Sequence, residues 1–276
     1  MTRWMLSGFG DEIDPQPDVQ VAVLKALGAH HIEVRSAWGT NVVELGADDL
    51  ERLAAIIDAA SMGVSAIASP VGKADAAVDM DDELARLRRA IVAAHRLQCR
   101  YIRVFSFFHD GREPAAVRDE VLARMSAMAS VAEQEGVILL HENEKEIYGD
   151  VPERILDLVE AVGSTALRLA WDSANFVQVG VRPYADAFSA LLAHIEYLQV
   201  KDALFSTGEV VPAGEGDGDI ARIVEALRDV GYGGFASLEP HLADAHVLGG
   251  FSGPTAFGEA ARAFRRIAEA SGVELV

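Results

Sequence analysis

Val137-Ile138-Leu139-Leu140-His141-Glu142-Asn143-Glu144 runs from a short apolar stretch straight into a cluster of polar, oxygen-bearing side chains. An apolar run of this length, rich in aliphatic residues, reads as a buried strand. The design recurs downstream: Leu167-Arg168-Leu169-Ala170-Trp171 ends in Asp172, Tyr197-Leu198 in Gln199-Val200-Lys201-Asp202, and Phe235-Ala236-Ser237-Leu238 in Glu239-Pro240-His241. Strands are thus predicted at Val137–Glu142, Leu167–Asp172, Tyr197–Lys201 and Phe235–Glu239, and upstream at Trp4–Gly8, His31–Ser36, Val64–Ala68 and Tyr101–Phe105. Helical periodicity fills the intervals, over Val19–Leu27, Asp48–Met62, Asp81–Leu97, Ala115–Glu135, Glu153–Val162, Tyr184–His194, Ile220–Val230 and Ala256–Ala270. Gly28, Gly63, Gly136, Gly163 and Gly231 close helices where a left-handed residue is wanted, and Pro114, Pro152 and Pro183 stand at helix starts. Alternating strands and helices with no composition break predict an α/β fold, a (β/α)8 TIM barrel in a single domain over residues 1–276. A doubly wound sheet usually carries a glycine fingerprint after its first strand, and Gly8-Phe9-Gly10-Asp11-Glu12 lacks the third glycine.

Composition narrows the partners. Hydrophobic residues make up 50% of the 276 and charged residues 24%, a globular balance that excludes disorder. The 24 Lys and Arg against 43 Asp and Glu give a net charge of −19, which repels phosphate backbones and anionic lipid and leaves some carboxylates free for a divalent cation. Nucleic acid and membrane are therefore excluded as expected partners. Cys99 is the lone cysteine, read as buried packing, and it suits a reducing compartment. No signal peptide and no run of about 18 apolar residues is found, so the expected location is cytoplasmic.

A barrel keeps its active site at the C-terminal ends of its strands, where the long stretches Ala203–Asp219 and His241–Pro254 also fall. Side chains alternate along a strand, so an inward Glu142 brings Leu140 and Glu144 inward and turns His141 toward the helices. Gln199 shares a face with Lys201, Glu239 with Ser237 and His241, and Glu33 with Arg35. Glu142, Asp172 and Glu239 converging in one mouth would repel one another unless one is protonated or a cation lies among them. Three carboxylates and an amide oxygen are hard donors that suit Mg or Mn better than a thiolate-rich zinc site. Ion pairs with nearby Arg and Lys are the alternative, and four successive strand ends favour the metal.

With these residues in view, the chain resembles the xylose-isomerase-like barrel superfamily, in its sugar phosphate isomerase/epimerase branch. The resemblance spans nearly the whole chain. It is carried by Gly10-Asp11-Glu12-Ile13, Ile32-Glu33-Val34-Arg35-Ser36, Ser69-Pro70-Val71-Gly72-Lys73, Ile102-Arg103-Val104-Phe105, His141-Glu142-Asn143-Glu144, Trp171-Asp172-Ser173-Ala174-Asn175, Pro212-Ala213-Gly214-Glu215-Gly216 and Leu238-Glu239-Pro240-His241. It implies a metal held by Glu142, Asp172 and Glu239, with Gln199 where most relatives carry His. Mn or Mg is the expected ion, with Co or Zn as alternatives. Asn175 stands where the ketose epimerases place His, and Phe205 about where they place a sugar-binding Arg.

The activity implied is isomerisation or epimerisation of a sugar, sugar phosphate or related hydroxy-ketone. A proton beside a carbonyl is removed, and Glu142 and Glu239 serve as acid and base while Asp172 and Gln199 hold the metal. Arg35, Lys73, Arg103, Glu144, Asn175, Lys201 and His241 are the expected substrate-binding set. For the basic members the alternative is internal pairing with Glu33, Glu144 and Asp202. Trp38, Phe107, Phe108 and Trp171 are candidates for stacking on a sugar, with core packing the commoner role. Gly214-Glu215-Gly216-Asp217-Gly218 lacks the Lys-Ser/Thr of a phosphate loop and reads as a turn. A β-eliminating lyase of the inosose dehydratase or 3-oxo-glycoside type is the second reading, and an inactive sugar-binding barrel the third. The net charge argues against the superfamily's DNA-repair endonucleases. Homo-oligomers, common in this branch, are compatible with the sequence.

Overall fold

A computed structural model of the chain describes residues 2–243 and 250–276. Of the predicted loop His241–Pro254, residues 244–249 lie outside the described residues. The barrel strands are β1 (Thr2–Gly8), β2 (His31–Val34), β3 (Gly63–Ile67), β4 (Tyr101–Val104), β5 (Ile138–Glu142), β6 (Leu167–Asp172), β7 (Ile195–Val200) and β8 (Phe235–Leu238), with β9 (Val273–Leu275) at the C-terminus. The helices are α1 (Pro17–Ala26), α2 (Ala47–Ala59), α3 (Met80–Arg96), α4 (Pro114–Glu135), α5 (Pro152–Val162), α6 (Ser173–Gln178), α7 (Ile220–Asp229) and α8 (Gly253–Ala270).

The sheet order is β9-β1-β8-β7-β6-β5-β4-β3-β2, all parallel. Among the described residues the seam from β1 to β2 closes through a single bridge, Phe9 to Glu33. Strand outer faces and helix inner faces form one apolar layer that includes Trp4, Leu24, Leu87, Val104, Met125, Leu158 and Phe264.

Inside the barrel the side chains are layered. His31, Tyr101, Tyr197 and Phe235 meet edge-on or tilted at the bottom, with centroids 4.9–6.3 Å apart. Above them the Tyr197 hydroxyl donates to Glu33 Oε2 (2.8 Å) and lies 2.9 Å from Ser65 Oγ, which meets Ser7 Oγ at 2.6 Å. A register shift between Leu169 and Ala170 aligns Ala170 with Tyr197 and Asp172 with Gln199, so that these pairs share the inner face.

Most predicted elements stand within a few residues of their observed bounds, and three differ. Residues 183–194 form a wide π turn, a short α turn and a 3-10 turn rather than one α-helix. Gly63 opens β3, and Ser61 takes the left-handed position (φ +55) in its stead. Two-residue ribbons, Ser36–Ala37 with Thr40–Asn41 and Asp202–Ala203 with Val210–Val211, decorate the loops after β2 and β7. Cys99 is buried as expected, and no described helix is long and apolar enough to cross a membrane.

Asp202 explains the glycine-rich turn. Its carboxylate accepts backbone N–H groups from Ala203, Gly214, Gly216 and Gly218 at 2.8–3.1 Å. Donors that a phosphate would need are occupied by the protein's own anion, and a Cβ on Gly216 would lie 2.4 Å from Asp202 Oδ1. Gly72 is equally constrained: its φ is +78, and a Cβ there would come within 2.0 Å of the Phe105 carbonyl oxygen. Its N–H donates to buried Glu83 (2.9 Å), and the turn sends Lys73 toward the mouth. Gly72→Ala is expected to lose at least about 2 kcal/mol in urea unfolding. Gly233→Ala, whose nearest neighbour would lie 3.7 Å away, is expected to stay within about 0.5 kcal/mol of the parent.

Candidate active site

The C-terminal strand ends surround a cavity of about 500 Å³ whose walls include Asp11, Arg35, Arg103, Glu142, Lys201 and Glu239. Carboxylate oxygens of Glu142, Asp172 and Glu239 all lie within 4.8 Å of one another, and all three residues are buried. The expected convergence is present. So are the ion pairs that were its alternative: Arg103 Nη1 lies 3.1 Å from Glu142 and 3.7 Å from Glu239, Lys201 Nζ 2.8 Å from Asp172 and 3.1 Å from Glu239, and Arg35 2.8 Å from Asp11 and 3.3 Å from Glu239. Lys73 pairs with Glu144 at 2.6 Å. Glu33 and Asp202, expected as partners, are instead held by Tyr197 and by backbone N–H groups.

Gln199 is fully buried beside Asp172 and Ser237 in the strand register, and neither its amide oxygen nor its nitrogen has a hydrogen-bond partner among the described residues. A sealed amide with nothing to bind is costly unless a ligand or water completes it. Two asparagines set the acids beside it. Asn143 donates to the Asp172 carbonyl (2.8 Å) and accepts from the Asp172 N–H (2.9 Å), tying β5 to β6 at their ends. Asp172 caps α6 by accepting the Asn175 N–H (2.9 Å), and the Asn175 side chain donates to Glu142 Oε1 at 3.0 Å. Asn175, expected to bind substrate, lines a space beside the main cavity while its amide also holds Glu142. His141 faces outward as expected, buried against Ser106 (2.9 Å), and burial pushes its pKa down to about 3.

The family model for xylose isomerase-like TIM barrels matches residues 21–267. The chain belongs to that family. It is 28% identical over 233 residues, 83% of this chain and 81% of the relative, to a 2-epi-5-epi-valiolone 7-phosphate 2-epimerase of Actinoplanes sp.. Among solved structures of this fold, a D-tagatose 3-epimerase-like protein superposes with a TM-score of 0.77 at 16% identity, over 99% of this chain and 98% of its own. A xylose isomerase-like TIM barrel protein from Mycobacterium smegmatis in complex with magnesium does so with a TM-score of 0.71 at 17% identity, over 98% and 97%.

The barrel mouth divides its acids electrostatically. Burial, with Glu142 and Glu239 close by, outweighs the attraction of Lys201 and pushes Asp172 up to about 7. Burial likewise raises Glu142 against the pull of Arg103. Burial also opposes ionisation of Glu239, but Lys201, His241, Arg103 and Arg35 together overcome it and hold that carboxyl well below the usual range. At Glu144 burial is outweighed by Lys73 and Lys201, which bring it to about 2.

Glu12 was not among the expected site residues. It is fully buried, and its Oε2 accepts from the His241 N–H (2.9 Å) and the Ser252 hydroxyl (2.8 Å). Its other oxygen lies 3.6 Å from His241 Nδ1, and Glu12, Glu239 and His241 form a second close group. The signal was present: Asp11 and Glu12 follow an apolar strand just as Glu142 and Glu239 do. Burial pushes Glu12 up to about 8. The unfolded chain releases this proton near 4.5 and the folded protein near 8, so stability falls as pH rises between those values. Glu12→Gln keeps the acceptor and removes the charge. It is expected to gain about 1–3 kcal/mol on the parent at pH 9 and little at pH 5, read by urea unfolding at both. An equal effect at the two pH values would refute the assignment.

Proposed function

We propose that the protein is a divalent-metal-dependent isomerase or epimerase of a sugar, sugar phosphate or related hydroxy-ketone. The observation that carries this reading is the convergence of Glu142, Asp172 and Glu239 beside the partnerless amide of Gln199. The donor set fits a hard cation: Glu142, Asp172, Glu239 and Gln199 would hold it through oxygen, which favours Mg or Mn over Co or Zn. The charges fit as well. Three carboxylates face the two fixed cations Arg103 and Lys201, while Arg35 is shared with Asp11. The relative from Actinoplanes is itself named an epimerase, which supports the same class of reaction.

A bound ion of this kind supplies Lewis-acid stabilisation for the negative charge that develops when a proton leaves a carbon next to a carbonyl. The chain supplies the proton traffic. Glu142 and Glu239 are the acid and base, one carboxyl group taking the proton from carbon and the other returning one. Two carboxyl groups in one cavity are what a transfer from one face of a carbon to the other needs. Arg35, Lys73 and Lys201 neutralise substrate charge, Glu144 and His241 bind hydroxyls at the rim, and Asn175 holds Glu142 in place. A location in the cytoplasm goes with the single buried thiol.

The protein purified without added metal is expected to carry about one Mg, Mn, Co or Zn per chain by elemental mass spectrometry, lost in Glu142→Gln and Glu239→Gln. With keto-sugars in deuterated water, the parent is expected to incorporate solvent deuterium at carbon without change of composition, and each variant to fall by about 100-fold or more. Loss of water or of a leaving group from the product would assign β-elimination instead. No metal taken up on titration would overturn the mechanism and leave a binding barrel.

A further inference from the structure

The cavity at the barrel mouth continues beyond its carboxylates. Past Lys73, Glu144, Lys201 and His241 it adjoins a second space of about 250 Å³, and the two share those residues as walls. Glu142, Arg103 and Glu239 line only the larger one. A unit placed against the acid pair therefore leaves the smaller space to another part of the ligand.

The wall of that smaller space is built, and its main feature is Phe108. Phe107 has φ +62, a left-handed conformation uncommon for an aromatic residue. Four backbone hydrogen bonds hold the pair in place: Phe107 N–H to Gly72 O (2.9 Å), Phe108 N–H to Ala74 O (2.8 Å), Ala76 N–H to Phe108 O (3.1 Å) and Tyr148 N–H to Phe107 O (3.0 Å). Strain of this sort persists only where the surroundings over-determine it. Its consequence is a division of labour: Phe107 is sealed in the core, while the half-buried Phe108 lines the smaller space. Val210 adds a second apolar surface. Gln178 supplies a polar edge, its Nε2 donating to Gly208 O (2.9 Å) and its Oε1 accepting from Lys145 Nζ (3.2 Å). Three lysines also line this space, Lys73 paired with Glu144 at 2.6 Å, Lys201 turned to Asp172 and Glu239, and Lys145 on Gln178, and the carboxylates of Glu144 and Glu146 stand among them, so the charge is mixed in sign and does not single out a small anion. An aromatic and aliphatic surface with an amide at its edge suits a ring.

We propose that the substrate has two ring-sized units and that the space beside Phe108 binds the second, a sugar or aryl group linked to the unit that reacts. The proposal rests on the functional reading above only for which unit reacts. It makes Phe108 and Gln178 specificity-determining residues.

The probes are matched methyl and phenyl glycosides of the common hexoses, which have no free carbonyl and so bind without turnover. They are titrated by calorimetry into the full chain supplemented with magnesium. For at least one sugar the phenyl glycoside is expected to bind about tenfold more tightly than the methyl glycoside. Phe108→Ala is expected to erase that preference while methyl glycoside affinity is unchanged, and Gln178→Ala, at the half-buried C-terminal end of α6, to reduce it by about threefold. Equal affinities in every pair, no binding of any glycoside, or a preference that survives both substitutions would each overturn the proposal. Failure of metal uptake or deuterium exchange with the phenyl preference intact would remove the reaction and leave the second binding space standing.

Discussion

Three buried carboxylates within 4.8 Å of one another are the constraint from which the rest of the barrel mouth follows. An uncompensated ion in a protein interior costs several kcal/mol, and repulsion adds to that. Glu142, Asp172 and Glu239 end adjacent or near-adjacent strands, so their own neighbours in the sheet cannot separate them. The compensation comes from elsewhere on the ring: Arg35 follows β2, Arg103 lies on β4 and Lys201 follows β7. Each reaches into the mouth, and each touches at least two acids. The neutral amides do the finer work. Asn143 and Asn175 hold backbone and side chain of the acidic pair in register without changing the charge balance.

Below the mouth the barrel spends stability on another buried acid. Glu33 sits at the seam, at the bridge to Phe9 that alone joins β1 to β2 among the described residues. Burial outweighs the favourable charge of Arg103 and raises it to about 7. The Tyr197 hydroxyl and the Ser7–Ser65 pair give this layer its hydrogen bonds, and the aromatic layer beneath seals it. A polar floor of this kind lets the charged mouth rest on groups that can hydrogen-bond rather than on an apolar layer that would raise the cost of every charge above it.

How far the sequence could be read follows from the range of each interaction. Strands β5 to β8 announce themselves because an apolar run and its polar end lie within a few residues, and alternation then places Gln199, Lys201 and Glu239 on one face. Where a residue's partner is distant in sequence, no local pattern reports it. Glu12 meets Ser252 across 240 positions, and Arg35 meets Glu239 across 204. The hydrogen bond from Asn175 to Glu142 Oε1 spans 33 positions, and no local pattern reports it. Among the four candidate stacking aromatics, spacing did not separate Phe107 and Trp171, which are core, from Phe108, which lines a cavity; a backbone angle at Phe107 decides it. Ser61 adopts the left-handed conformation assigned to Gly63 because the turn closes two residues earlier than the glycine suggested.

Two positions show how charge, more than motif, governs what this mouth accepts. The glycines at 214, 216 and 218 have the look of an anion cradle, yet Asp202 fills it with the protein's own carboxylate, so the motif becomes a rivet between the loop and β7. Gln199 stands where the family resemblance implies His, yet His and Gln are both neutral donors to a cation. The exchange leaves the balance of three acids against Arg103 and Lys201 untouched. What it changes is the donor atom, from nitrogen to oxygen, and with it the hardness of the site. In the proposed reading a site made wholly of oxygen gives up affinity for softer ions and keeps Arg35, Arg103 and Lys201 facing Glu239.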